Sequence, residues 1–295
     1  MRLTRLASGP IIRPHMDAKM GSNINGPSLV RAPSWVPNPL GKYYLYFADH
    51  DGDYIRLAYA DDLEGPWQMH EPGTLGLEQS AFAGRIASPD VHVDEERQEV
   101  RMYFHGAETK SGVPSDQFTR LACSSDGLNF AAAKENLGPA YFRVFPWQGA
   151  FYALAMPGLI LRSEDGRTEF GRGPMAFSRA MRHSAVLVRD SKALVVFTNV
   201  GDNPEQLLAS QVELSGPWSE WVATAPTFAL APDEDYEGGD CPPEPSRRGL
   251  VNNRVRQLRD PALFDDDGTI YVLYAIAGEA GIAITRIDDF GDVLA

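Results

Sequence analysis

Short runs of apolar, β-branched and aromatic residues recur along the chain at period two, and long amphipathic helical patterns are missing. That is the signature of strands. The first group runs from Pro27 to His50 and continues from Asp53 to Trp67. Similar groups follow at Ser88 to Gly106 with Thr119 to Phe130, and, more faintly, at Tyr141 to Met156 with Leu159 to Phe170. A fourth spans Arg182 to Val200 with Leu207 to Trp218, and a fifth Arg259 to Gly278 with Ala280 to Asp289. Asp267-Gly268, Gly41-Lys42 and Asp190-Ser191-Lys192 lie between apolar runs as hairpin turns. Five copies, each with three strands and an edge strand after them, predict an all-β five-bladed β-propeller with four-stranded antiparallel blades. The last copy is one strand short, whereas Met1 to Ser8 alternates apolar and polar residues. This N-terminal strand is expected to pair with the last blade and close the ring, removing open edges. The long stretch from Ala231 to Gln257 reads as a loop, of a length that tends to carry function.

With 295 residues, 43% hydrophobic and 23% charged, the chain has ordinary globular composition and is expected to form one domain over 1–295. A net charge of −13 disfavours nucleic acid as a partner, because phosphate binding needs clustered Lys and Arg; a neutral small molecule or oligosaccharide is compatible. No apolar run has the length of a signal-peptide core or a membrane span, so the expectation is a cytoplasmic protein without a membrane partner. Cys123 and Cys241 are far apart and lack metal-ligand spacing, which predicts free thiols and no metal site. Nothing in the pattern speaks to oligomeric state. Trp35, Trp67 and Trp218 are expected to pack between blades, and Trp147 could stack a sugar ring.

Two motif pairs sharpen the picture. Ala60 to Trp67 and Val212 to Trp218 both end in Gly-Pro-Trp, and Ser124 to Phe130 resembles Ser163 to Phe170. These elements resemble the five-bladed β-propeller glycoside hydrolase superfamily, which includes family 43, the invertase and levansucrase families and the mannoside phosphorylases. The resemblance covers about Gly9 to Asp288, is specific for fold and weak for substrate. It implies a carbohydrate-active enzyme, hydrolysing an O-glycosidic bond of a furanoside or related sugar with carboxylates in a central funnel and without a cofactor. Some relatives carry a channel Ca²⁺, but no oxygen-ligand loop of fixed spacing is visible. Family 43 places a base aspartate before a proline in the first blade; here the segment reads Asn25-Gly26-Pro27-Ser28.

Two other copies keep a carboxylate beside the proline, at Ser88-Pro89-Asp90 and Arg259-Asp260-Pro261. Glycoside cleavage needs one protonated and one ionised carboxyl, so Asp90 and Asp260 form the first candidate pair. Each also has a structural reading, capping a turn. Glu237, between Tyr236 and two glycines, is the candidate acid, with Glu244 next; a solvated acidic loop is the alternative. Asn25, Asp49, His50, His105, Arg143, Arg182, His183 and Arg259 fall at ends of predicted inner strands and are candidates to bind substrate. Two rival readings remain open: a catalytically inactive sugar-binding propeller, and a phosphorylase in which Arg182, His183 and Arg259 hold phosphate.

Overall fold

The computed structural model describes residues 1–6, 8–109 and 117–293. They form five antiparallel sheets arranged as the blades of one ring. Blade 1 comprises Asn25–Arg31, Tyr43–Ala48, Tyr54–Ala60 and Gln68–Met69; blade 2 comprises Ile86–Asp94, Glu99–Ala107, Gln117–Ser124 and Ala131–Ala132. Blade 3 is Arg143–Trp147, Ala150–Ala155, Leu159–Ser163 and Gly171–Met175. Blade 4 is Met181–Arg189, Lys192–Asn199, Leu207–Glu213 and Thr227–Leu230. Blade 5 takes Arg259–Asp266, Thr269–Ala275 and Ile282–Asp289 from the end of the chain and its outermost strand, Arg2–Arg5, from the beginning. The expected closure by the N-terminal strand is therefore present.

The near-continuous apolar runs of the second strands follow from this geometry, because each blade is covered on both faces. In blade 1, Tyr43, Leu45 and Phe47 pack towards blade 5 while Tyr44, Tyr46 and Ala48 pack towards blade 2. In blade 4, Ala193, Val195 and Phe197 face blade 3, and Leu194 and Val196 face blade 5. Trp67 is buried between blades 5 and 1, and Trp35 and Trp218 pack against inter-blade cores as expected. Trp147 does the same: it packs against the core between blades 3 and 4 and donates from Nε1 to the Leu214 carbonyl at 3.2 Å, so it does not serve a sugar.

The paired Ser-x-Asp-Gly motifs have a structural reason. Ser124 and Ser163 each bond the aspartate two residues on and accept the Gly amide that follows. The turn so built presents its glycine carbonyl to the previous blade, where Tyr46 donates to Gly127 O at 2.7 Å and Tyr103 to Gly166 O at 2.6 Å. These are scaffold contacts, which is why the motifs report fold rather than substrate. Tyr103→Phe is expected to lower stability by about 1–2 kcal/mol in urea unfolding, because the buried carbonyl loses its donor; an unchanged midpoint would show that the contact is dispensable.

Candidate active site

Four of the five inner strands enter the channel through the same local feature. The pairing register slips between Asn25 and Ser28, Ala87 and Asp90, Met181 and Ser184, and Arg259 and Ala262. The residue two before the register resumes has positive φ in four blades: Gly26 (60°), Ser88 (45°), Tyr141 (63°) and Asp260 (46°). Arg182 holds this position in blade 4. These five residues form the layer nearest the mouth, and Ser28, Asp90, Arg143, Ser184 and Ala262 form the next layer down. Positive φ is costly for residues with a Cβ, and such strain gathers at functional sites.

This layering corrects the first candidate pair. Asp260 precedes its proline and Asp90 follows its own, so the two belong to different layers, two residues or roughly 6–7 Å apart along a strand. Asp90 lines a cavity of about 320 Å³ at the opposite end of the channel, shared by all five inner strands. There it accepts from the Val144 amide at 2.7 Å and meets His92 Nε2 at 2.9 Å. Burial alone would raise its pKa, but His92, Arg143 and that amide hold it below the usual aspartate value. Arg143, in the same layer as Asp90, is buried and bridges blades 2 and 4 through the Pro89 and Ser184 carbonyls.

Glu237 is also corrected. It is 0% exposed and accepts bonds from Arg5, Tyr274 and the Asp233 and Glu234 amides. Both oxygens are engaged in locking the N-terminal strand onto blade 5, leaving none for a substrate. Glu244 is exposed, on the loop wall of a shallow cleft beside the mouth. Asn25 is buried and bonds Asn23, and Asp49 pairs with Arg56 at 3.2 Å, so both support the rim from behind.

The remaining candidates converge. A cavity of about 600 Å³ at the mouth is lined by His50, Tyr141, Arg182 and His183, with Arg85 and Arg248 on its rim. The Tyr141 ring lies close to that of His105, centroids 4.2 Å apart and inclined by 33°, and to that of His183, 5.0 Å apart and inclined by 45°. Burial drives the pKa of both imidazoles well below 6.5, with Arg85 adding to the effect at His105 and Arg182 at His183, so both rings are neutral.

Asp260 lies behind His183, just beyond the residues that line the cavity, and is 2% exposed. Its amide donates to His183 Nδ1 at 3.3 Å, and His183 Nε2 approaches its Oδ1 at 3.3 Å without hydrogen-bond alignment, leaving Oδ1 unbonded among the described residues. Burial, and then the Glu279 charge, push its pKa up to about 7. Arg259, completely buried, binds Glu279 at 3.0 Å and Glu205 at 3.4 Å; Arg182 meets Glu205 at 3.3 Å. His50 and Asn23 hold the rest of Glu279, and these partners, outweighing burial, keep it ionised. Among the described residues Glu205 Oε1 has no partner.

Sequence reasoning missed Glu205 and Glu279. Both sit in loops after the second strand of a blade, the location already singled out by Asp49-His50, and that correspondence was the available signal. Among the described residues no group of three His, Cys, Asp or Glu side chains is arranged to hold a metal ion.

The raised pKa makes stability depend on pH. In the folded state Asp260 keeps its proton to about pH 7, whereas the unfolded carboxyl loses it near pH 4. Its contribution is therefore full below about pH 4 and lost as pH rises through about 7. Relative to Asp260→Asn, the wild type is expected to lose on the order of 2–3 kcal/mol between about pH 5 and pH 8. The neutral imidazoles act in the opposite sense below about pH 6.5, so the comparison is made between the two proteins by thermal unfolding. Parallel pH profiles would refute the shift.

The chain is 36% identical to uncharacterized protein R118 of Acanthamoeba polyphaga mimivirus over 302 residues, spanning 90% of this chain and 83% of that protein. It belongs to the family of that viral protein. No family model matches the chain. Among solved structures, it resembles a GH43 β-xylosidase/α-arabinofuranosidase from a compost microbial metagenome, crystallised with xylotriose, at TM-score 0.66 and 11% identity, covering 99% of this chain and 97% of that one. A GH43_1 enzyme from Xanthomonas citri (TM-score 0.63, 10% identity, 97% and 92% covered) and an exo-1,5-α-L-arabinanase from a bovine ruminal metagenomic library (0.59, 13%, 92% and 95%) are similar too. The fold is thus that of the GH43 five-bladed propellers. One local feature concerns Gly26, before Pro27, where the sequence resemblance leads one to look for an aspartate: a Cβ there would come within 2.7 Å of Ser88 Cα, so no carboxylate fits without moving the neighbouring blade.

Proposed function

We propose that this protein is a carbohydrate-active enzyme that cleaves an O-glycosidic bond of a furanoside or related sugar in the mouth cavity. The observation that carries the reading is Asp260: a buried carboxyl, protonated near neutrality, with an unbonded oxygen beneath a cavity built by several blades. In this reading Asp260 gives its proton to the leaving oxygen as the C–O bond breaks, and the bond's electron pair leaves with that oxygen. Glu205, paired with Arg182 and Arg259 and with Oε1 unpaired among the described residues, takes a proton from the water that attacks the anomeric carbon. His183 holds Asp260 in place, and Tyr141 offers its ring to the sugar. The xylosidase and arabinanase among the similar folds support this class of substrate.

A second reading, a sugar-binding propeller without turnover, is favoured by the closed space at Gly26. Chromogenic arabinofuranosides, xylosides, galactosides and fructosides, assayed with and without phosphate, separate the readings. Product without phosphate supports hydrolysis, and a phosphate requirement moves the reaction to phosphorolysis. Silence across the panel, with a sugar-dependent rise in melting temperature, selects the binder.

A further inference from the structure

The mouth carries a charge opposite to that of the molecule. The chain has a net charge of −13, yet the cavity wall presents Arg85, Arg182 and Arg248 against one carboxylate, Asp51. Asp51 is largely exposed and pairs with Arg85 at 2.8 Å, while among the described residues the buried Arg85 Nε has no partner. Arg248 is exposed, donates to the Arg179 carbonyl at 2.9 Å and touches Met156 Sδ; among the described residues no carboxylate neutralises it. Beneath the wall, Arg182 and Arg259 pair with Glu205 and Glu279, and Asp260 holds its proton. Positive charge thus exceeds negative at the rim, while the arginines beneath it are matched by carboxylates. A neutral saccharide gains little from such an arrangement, whereas a guanidinium matches a carboxylate or phosphate with two parallel donors.

We propose that the cavity takes a saccharide bearing an oxyanion, with Arg248 and Arg85 gripping the anionic group and Tyr141 beneath the ring. This rests on the mouth being the saccharide site. It deepens that reading by naming the substrate class. Isothermal titration of the intact protein with a hexuronate, a hexose phosphate, the neutral parent hexose and inorganic phosphate tests it. Either anionic sugar is expected to bind about tenfold or more tightly than the neutral one, and the advantage to shrink as salt is raised. Arg248→Met, at an exposed position that leaves the core untouched, is expected to cost the anionic sugar about tenfold and the neutral sugar nothing.

Whichever sugar prevails identifies the oxyanion as carboxylate or phosphate. Equal binding of neutral and anionic sugars, or anionic binding unaffected by Arg248→Met, overturns the proposal. Inorganic phosphate binding as tightly as either sugar overturns the saccharide part of it. Anion-selective binding without turnover of any glycoside leaves this inference standing and removes the catalytic one.

Discussion

Asp260→Asn is expected to reduce glycoside turnover by on the order of 10²–10⁴-fold, the range supplied by a positioned general acid. The amide keeps the shape of the side chain but has no proton to give to the leaving oxygen. Because the wild-type carboxyl titrates at about 7, the rate should hold below that pH and fall above it. The variant's residual rate should lack this basic limb. Leaving groups that need no protonation should recover much of the loss, which distinguishes a missing acid from a disturbed fold. Full activity in Asp260→Asn would remove Asp260 from the chemistry.

The second large effect concerns stability. Glu237→Ala is expected to destabilise the protein by about 3–5 kcal/mol, the usual consequence of removing one partner of a buried ion pair. It strands Arg5 and the Tyr274 hydroxyl and frees the N-terminal strand from blade 5. The ring thereby loses one of the contacts by which its first strand holds it shut. Chemical unfolding measures the loss, while the rate per folded molecule is expected to stay at the wild-type value. A normal unfolding midpoint with abolished turnover would return Glu237 to the role of catalytic acid.

The five-fold repeat was legible because blade packing imposes a strong pattern. Covering both faces of each second strand demands runs such as Tyr43 to Phe47, and the serine-aspartate turns must accept a tyrosine from the blade before. Blade 3 was faint because its innermost strand is only Arg143–Trp147 and includes Pro146. The site was less legible, since it depends on a bulge. Counting from the proline put Asp90 and Asp260 together, whereas the register separates them by a layer. Glu237 looked catalytic for its glycines, but Gly238 is there to adopt φ 87° against the Val255 carbonyl. Glu205 and Glu279 come from irregular loops, where no periodicity marks a buried carboxylate. The recurrence of His and Arg at strand ends was the informative signal, and His50, His105, Arg182 and His183 do gather around the mouth.

The account stands on which end of the channel holds the sugar. Crystals of the Asp260→Asn variant soaked with a saccharide, neutral or anionic, answer this directly. The account predicts density in the mouth cavity, with the glycosidic oxygen within hydrogen-bond reach of residue 260 and the ring over Tyr141. Density at the opposite end beside Asp90 and His92, with the mouth empty, would contradict it.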